Sequence, residues 1–448
     1  MRRRDVLLGG LGLGGLAAFG GVSSMLSLAH AGDNPEYKDR YFIFCYFPGA
    51  WDILMGLDPR DPSRFRDDNR GETYIQPGYH LLSDPTRVPI QLDEKRLVGP
   101  FMGRMLDHAD KMAIVRGMSM DTLTHEVGRR RFLTGKPPSG LRARGSSTAT
   151  WMASHLGRDE PIPNMVGTVE TYNVDQPSWA SGLRVASTAD LVRALRPGEY
   201  AVSDPQRDRI EGMLDEFSRC DHNERSRMLT AANGLHRSSQ DLVGQRMDSL
   251  FDFRANTSPM LALRDRYNIN PGRLADPEAQ AAMAVTAITN GISRSVSISA
   301  TTSLDTHDAN WGTDQGPGQE RGFNIVAAMV EDLQSRQFKG TGDTWLDHTT
   351  ILCFSEFCRT ALVNARGGRD HSLTNACMLV GAGIKGGVYG KSSDLGMQPG
   401  RMNLQTGEAD LGGDIPMPGH VLRTLMVSAG IEDDIADLRV EPIRAMIA

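Results

Sequence analysis

Cysteine is scarce in this sequence. The 448 residues include five, which are too few, and odd in number, for a disulfide-bonded scaffold. None lies in a Cys-x-x-Cys or Cys-x-x-His spacing, so a thiolate zinc site is not expected. A strong charge of one sign is also lacking, because the net charge is -6, which argues against a polyanionic partner and excludes a typical nucleic-acid-binding protein. We find no internal repeat and, after the first thirty or so residues, no apolar run long enough to cross a membrane.

The N-terminus has the three parts of an export signal. Arg3 and Arg4 precede a weakly apolar, glycine-rich stretch, and Ala29-His30-Ala31 ends it. Paired arginines before such a stretch are typical of the twin-arginine (Tat) pathway, which exports folded proteins. We therefore expect residues 1–31 to be a signal peptide recognised by the Tat translocase, and the mature protein to be periplasmic or extracellular with no stable membrane span. The alternative is a retained anchor, which the glycine content disfavours.

The rest of the chain, residues 32–448, has the pattern of one large α/β domain. Its 40% hydrophobic and 23% charged residues are ordinary for a globular protein. Short apolar runs rich in β-forming residues alternate with helical patterns, such as the one over residues 320–337. This alternation predicts a mostly parallel sheet. A polar helical stretch interrupts it and predicts a helical insertion near residues 205–275. The apolar runs cover residues 41–47, 112–116, 295–300, 350–354 and 377–380.

Acidic residues follow three of these runs. Asp52, Asp305 and Glu356 each come shortly after the carboxyl end of a predicted strand. Ligands of parallel sheets gather beyond those ends, so the three carboxylates are expected at one edge of the sheet. His307, two residues after Asp305, adds an imidazole, and the pair suits zinc, manganese or iron. The alternative for this pair is a solvated loop.

Two further motifs add candidate residues. Arg359 lies close behind Glu356, where a guanidinium can bind a substrate oxyanion, unless the two form a plain ion pair. His371 follows two glycines, Gly367 and Gly368, which free the backbone to bring an imidazole into a site. The alternative for His371 is a plain surface turn.

A third candidate region is a helix start near Thr124 and His125. Thr122 or Thr124 can cap a helix that ends at Gly135, before two prolines. The amides of a helix N-terminus suit an anionic group. The alternative is a surface helix with a solvated face.

Taken together and in order, these motifs resemble the exported family DUF1501, which is allied to the alkaline phosphatase and sulfatase superfamily. The motifs that carry the resemblance are Gly-Ala-Trp-Asp at 49–52, Leu-Thr-Gly at 133–135, Asp-Thr-His-x-x-Asn at 305–310, Phe-Ser-Glu-Phe-x-Arg-Thr at 354–360, Gly-Gly-x-Asp-His at 367–371 and Gly-Gly-x-Tyr-Gly at 386–390. The resemblance implies an alkaline-phosphatase-like three-layer α/β/α sandwich around a mostly parallel sheet.

The resemblance also implies a divalent metal centre of one or two ions, which in the superfamily lie about 4 Å apart. Asp305, His307 and His371 look like the ligands of one ion, and Asp52 and Glu356 look like carboxylates of a second. Phe357 stands where a superfamily histidine would follow the acid, which leaves the second ion one ligand short.

The resemblance does not decide which of two adjacent residues, Thr124 or His125, takes the place of the nucleophile. Counting back from Gly135 puts His125 where sulfatases have their reactive cysteine, with Thr124 beside it. No cysteine of this kind is present, which disfavours a standard sulfatase. Thr124 is then a phosphatase-like nucleophile, or His125 is a metal ligand or general acid.

Two functions follow as hypotheses. The first is an exported metal-dependent hydrolase of phosphate or sulfate esters, with an anionic ester or polymer as substrate. Its catalytic residues would be Thr124, His125 and Arg359. The second is a catalytically silent binding or scaffolding protein of the cell envelope on the same fold.

Overall fold

The computed structural model describes residues 39–196 and 247–448, with isolated positions between 203 and 216. The predicted signal peptide, residues 1–31, lies outside the described residues, as do residues 217–246 of the predicted insertion near 205–275. Within the described part of the chain, no helix is both long and apolar enough to span a membrane.

Among the described residues, eight strands form one central sheet, and four strands of two residues each form two separate pairs. The strands are β1 (Tyr41–Tyr46), β2 (Ile90–Gln91), β3 (Leu97–Val98), β4 (Ala113–Ser119), β5 (Asn164–Val166), β6 (Leu183–Arg184), β7 (Ser295–Ser299), β8 (Thr349–Phe354), β9 (Cys358–Arg359), β10 (His371–Ser372), β11 (Thr374–Gly381) and β12 (Gly387–Tyr389). The order in the central sheet is β12-β4-β11-β8-β1-β7-β5-β6. Neighbours pair in parallel except that β11 runs antiparallel to both β4 and β8.

The helices of the described residues are α1 (Arg70–Thr73), α2 (His125–Thr134), α3 (Thr148–Leu156), α4 (Thr188–Leu195), α5 (Asp248–Phe251), α6 (Ser258–Tyr267), α7 (Pro277–Thr289), α8 (Gly316–Ser335) and α9 (Pro418–Ser428). Short 3-10 turns cover Asp67–Asn69, Tyr79–Leu81, Gly103–His108, Ser178–Ala180, Trp345–His348 and Arg444–Met446, and a π turn, Trp311–Gln315, leads into α8. The helix predicted over 320–337 is therefore α8, which begins four residues earlier because the π turn runs directly into it.

Helices cover both faces of the sheet. Along β1, Tyr41, Ile43 and Cys45 pack into a hydrophobic cluster with α7 and α8. The alternate residues, Phe42 and Phe44 among them, pack into a second cluster with α2, α3 and α9. Because both faces are buried, the strand is a continuous apolar run rather than an alternating one. The predicted three-layer α/β architecture with a mostly parallel sheet is confirmed.

The sheet topology brings distant parts of the chain to one edge. The carboxyl ends of β1, β4, β7 and β8 lie on the same side, since these strands all run in one direction. β11 runs the other way, so its amino end, just after His371, lies at that same edge. Strand β4 reaches Ser119 rather than ending near 116, because a bulge at Gly117, with φ 68°, lets the pairing continue.

Candidate functional site

Four side chains converge at this edge of the sheet: His125, Asp305, His307 and His371. One ligand atom of each lies within 4.8 Å of those of the other three. The two Nε2 atoms of His307 and His371 are 3.0 Å apart, and Asp305 Oδ1 lies 3.1 Å from His307 Nε2. Asp305 Oδ1 is also 3.6 Å from His125 Nε2. Around a zinc ion, ligand atoms at tetrahedral corners are about 3.3 Å apart, so the three distances between 3.0 and 3.6 Å are compatible with ligands of one ion.

The four residues come from three different segments. His125 is the first residue of α2, and Asp305 and His307 lie in the loop that follows β7. His371 begins β10, directly before β11. The Asp305 side chain is 46% exposed, so solvent reaches the cluster.

Each histidine is oriented through its other ring nitrogen. Glu356 Oε1 lies 2.6 Å from His125 Nδ1, and Asp370 Oδ1 lies 3.1 Å from His307 Nδ1. The backbone carbonyl of Leu123 lies 2.7 Å from His371 Nδ1. An acceptor at Nδ1 places the proton there and directs the lone pair of Nε2 toward the cluster, where the Nε2 atom of His307 also lies 3.1 Å from Arg359 Nη1.

Two such lone pairs 3.0 Å apart repel each other unless a cation or a proton lies between them. Burial lowers the pKa of His371, and the nearby positive charges of His125, Arg359 and His307 lower it further against the opposing effect of the Leu123 carbonyl. The four side chains therefore form a possible site for a cation.

The Gly-Gly-Arg-Asp-His motif holds the Asp305–His307 loop in place. A Cβ atom at Gly368 would lie 2.2 Å from the carbonyl carbon of His307, so only glycine permits this close approach. Asn364 Nδ2 donates to the His307 carbonyl at 3.0 Å. The same motif then supplies Asp370 and the ligand His371.

Asp52, predicted as a ligand of a second metal, lies outside the cluster. It is fully buried, and its Oδ2 lies 3.0 Å from Arg369 Nε and accepts from Trp311 Nε1 at 2.8 Å. Its Oδ1 accepts from the amide of Leu54 at 3.0 Å. The carboxylate therefore forms a buried ion pair with Arg369, which no sequence pattern indicates.

Glu356, the other predicted second-metal ligand, contacts the cluster only through His125. Its Oε1 also accepts from the amide of Gly49 at 2.9 Å, and Ser355 Oγ donates to Oε2 at 2.8 Å. Burial raises the pKa of Glu356, but the hydrogen bonds to it and the charge of His125 outweigh burial and lower it. Phe357 fills the adjoining space, since its ring centroid lies 4.9 Å from that of His125 and 4.5 Å from that of His371.

Arg359, predicted to bind a substrate oxyanion, lies beneath the cluster with its side chain 0% exposed. It donates to the backbone carbonyls of Gly49, Ala50, Leu304 and Arg369, and it pairs with Asp305. Its Nη1 also lies 3.1 Å from His307 Nε2. Partial burial raises the pKa of Asp305, but the hydrogen bond and charge of Arg359 lower it more. Backbone carbonyls and Asp305 therefore enclose the guanidinium that the sequence predicts to bind an oxyanion.

Thr124 is exposed and immediately precedes α2. Its side chain makes no capping hydrogen bond, so the first-turn amides of α2 are not closed off by it. The helix ends at Thr134, beside the predicted end at Gly135, and Gly135 has a left-handed conformation. Thr124 and His125 therefore stand side by side where a helix N-terminus meets the cluster.

Comparisons with known proteins agree with the family predicted from the motifs. The model of the family described as "Protein of unknown function (DUF1501)" matches residues 42–408, and the chain belongs to this family. No curated protein has a significantly similar sequence. Among solved structures, a protein in the alkaline phosphatase superfamily from Vibrio parahaemolyticus is similar, with 11% identity and a TM-score of 0.37 over 93% of this chain and 76% of that one. A protein solved with its substrate D-glucosamine-2-N,6-O-disulfate has 9% identity and a TM-score of 0.34 over 90% of this chain and 79% of that one.

Proposed function

We propose that this member of the DUF1501 family is an exported protein that binds one divalent cation and acts with it on phosphate or sulfate esters. The proposed ligands are His125, Asp305, His307 and His371. The observation that carries the proposal is the convergence of three imidazole Nε2 atoms and a carboxylate oxygen, with each Nδ1 held by an acceptor.

The donor set fits a first-row transition metal. Imidazole nitrogen and carboxylate oxygen suit zinc, manganese or iron better than magnesium or calcium, which prefer oxygen alone. Such an ion, when bound, acts as a Lewis acid toward an oxygen of the substrate. Asp305 would supply negative charge to the ion, and Arg359 would hold that carboxylate in place from below.

One ion is proposed rather than two. Asp52 is already paired with Arg369, and both side chains are 0% exposed. Glu356 orients His125, and the ring of Phe357 packs against two of the ligands. The carboxylates expected for a second ion are therefore engaged elsewhere, and an apolar ring stands beside the first site.

The ester class rests on the start of α2. Its first-turn amides lie next to the ligand His125, and a helix N-terminus favours an anionic group such as a phosphoryl or sulfuryl oxygen. Thr124 is the proposed nucleophile, because its exposed hydroxyl directly precedes that ligand on the chain.

The cation is tested by metal analysis of the full mature protein purified without chelator. We expect inductively coupled plasma mass spectrometry to find close to one equivalent of zinc, manganese or iron in the wild type. The same metal should be lost in H307A/H371A. H80A is the matched control, since His80 is an exposed histidine that pairs with Asp67 away from the cluster. A wild-type protein that stays metal-free after incubation with each of these ions would refute the site.

Turnover is tested separately with chromogenic phosphate and sulfate esters. We expect hydrolysis that requires the cation and disappears in T124A, while the metal content of T124A stays at the wild-type level. Hydrolysis at an unchanged rate in T124A would exclude Thr124 as nucleophile.

Binding without turnover is the second candidate function, and one observation favours it. Arg359, the guanidinium nearest to the cluster, is enclosed by backbone carbonyls and does not face solvent. A protein that holds the cation with high affinity but cleaves none of the esters would support this alternative.

A further inference from the structure

We propose that Asp370 is a positioning residue that sets the affinity of the cation site by orienting His307, and that Arg366 holds Asp370 in that role. The inference rests on the proposed cation site. It concerns a residue that touches none of the reacting groups and acts only through a ligand.

The Asp370 carboxylate is itself held in place. Its Oδ1, 3.1 Å from His307 Nδ1, also accepts from Asn364 Nδ2 at 3.1 Å and lies 3.4 Å from Arg366 Nη2. The Asp370 amide donates to Thr360 Oγ1 at 3.1 Å. These contacts fix the carboxylate relative to the loop that carries His307.

The loop of Asp370 is in turn fixed to the loop of His307. The Asn364 side chain donates to the His307 carbonyl, and the backbone at Gly368 lies against the same peptide group. A shift in the position of Asp370 would therefore change the orientation of the His307 ring.

Of the three groups that orient the histidines, Asp370 is the one that a substitution can remove with the least disturbance of the core. The acceptor for His371 is a backbone carbonyl, which no substitution removes, and Glu356 is buried with several other partners. Asp370 is a side chain 52% exposed, so it can be changed without opening the core. Removal of an outer partner of a ligating histidine typically weakens metal binding roughly 10–100-fold.

The chain offers a matched control in Asp308. This carboxylate is also exposed, at 68%, and also pairs with Arg366, at 2.8 Å from its Nε. Its described contacts do not include a ligand histidine. D308N therefore removes a nearby negative charge without removing the hydrogen bond to His307.

The experiment measures the dissociation constant of Zn²⁺ by competition with a chromogenic chelator, on the full mature protein. We expect D370A to bind Zn²⁺ roughly 10–100-fold more weakly, D370N to be affected less because its amide oxygen can still accept the hydrogen bond, and D308N to stay within about twofold. R366M should weaken binding by less than D370A. The melting temperature of each metal-free variant should match that of the wild type.

A second measurement reports the geometry of the bound cation rather than its affinity. The visible absorption of bound Co²⁺ reports the arrangement of its ligands, and it should change in D370A and remain as in the wild type in D308N. Equal Kd values for D370A and the wild type would overturn the inference, and so would equal weakening in D370A and D308N, which would indicate charge alone. If the wild type itself bound no cation, the proposed function would fail together with this inference.

Discussion

The buried pair of Asp52 and Arg369 allows a decisive test of how the site is built. The sequence predicts Asp52 to be a metal ligand, whereas its carboxylate forms an ion pair with Arg369, accepts hydrogen bonds from Trp311 and Leu54, and lies outside the cluster. The substitution D52N keeps the shape of the side chain and removes its charge. It should therefore reduce stability and leave cation binding unchanged.

The size of the effect follows from burial. Both side chains of the pair are 0% exposed, and removing one partner of a buried ion pair typically costs about 3–5 kcal/mol. Arg369 keeps its hydrogen bonds to the carbonyls of Thr360, Gln76 and Pro77, which places D52N near the lower end of that range. In a chain of this size, where the unfolding entropy is about 0.9 kcal/mol/K, about 3 kcal/mol corresponds to a fall in Tm of roughly 3 °C.

The assay is urea unfolding of the metal-free protein, followed by Trp fluorescence, alongside metal analysis of the loaded protein. D68N is the control, since Asp68 forms an exposed ion pair with Arg66 and should show no measurable change. The double variant D52N/R369Q should lose less stability than the sum of its single changes, because no lone charge stays buried. A D52N protein of wild-type stability that had lost its cation would refute this reasoning.

Three further predictions concern the close approach at Gly368, the loss of stability at acid pH and export. G368A should weaken Zn²⁺ binding at least tenfold, because the new Cβ would lie 2.2 Å from the carbonyl carbon of His307. G71A is the control and should bind Zn²⁺ normally, because a Cβ at Gly71 meets nothing within 4 Å. Isothermal titration calorimetry measures the affinity of both variants. Burial raises the pKa of Asp58, but Arg60, Arg116 and Ser392 lower it more, so its folded pKa lies below the unfolded value near 3.9. Its contribution to stability is therefore complete above that value and is lost as the pH falls through the folded pKa, so D58N should flatten the fall of the urea midpoint below about pH 4, and an unchanged slope would contradict this. Replacing Arg3 and Arg4 together by lysine should leave the protein in the cytoplasm, and the exported wild type should begin at residue 32 by mass spectrometry; export of the Lys-Lys variant at the normal level would exclude the twin-arginine route.

The sheet was largely predictable because its strands are buried on both faces. Runs such as 41–47 and 350–354 are apolar without interruption and end at polar residues, and they correspond to Tyr41–Tyr46 and Thr349–Phe354. The short strands β5 and β6 were missed, since three and two residues carry no periodic signal. The antiparallel direction of β11 was not predictable either, because direction depends on which strands flank it.

The candidate site was predictable in its ligand types and only partly in its grouping. Asp305, His307 and His371 were placed together, and the structure brings His125 to them from the start of α2. The sequence alone does not decide whether His125 is a catalytic residue or a metal ligand, because a residue at a helix start gives no sign of which strand end it meets. Asp370 was overlooked as an orienting group, although its position next to His371 in a glycine-rich turn was a usable signal.

Two of the predicted site residues, Asp52 and Arg359, share one physical feature. The sequence identifies a carboxylate or guanidinium at the edge of the sheet, but burial decides whether it faces a ligand or a counter-charge. Asp52 and Arg359 are both fully buried, and each has at least two partners more than two hundred residues away in the chain. Asp305 and His307 stay partly exposed, and these are the residues whose polar atoms are directed at one another. At this edge of the sheet, partial exposure therefore separates the residues available to a cation from those that hold the edge together.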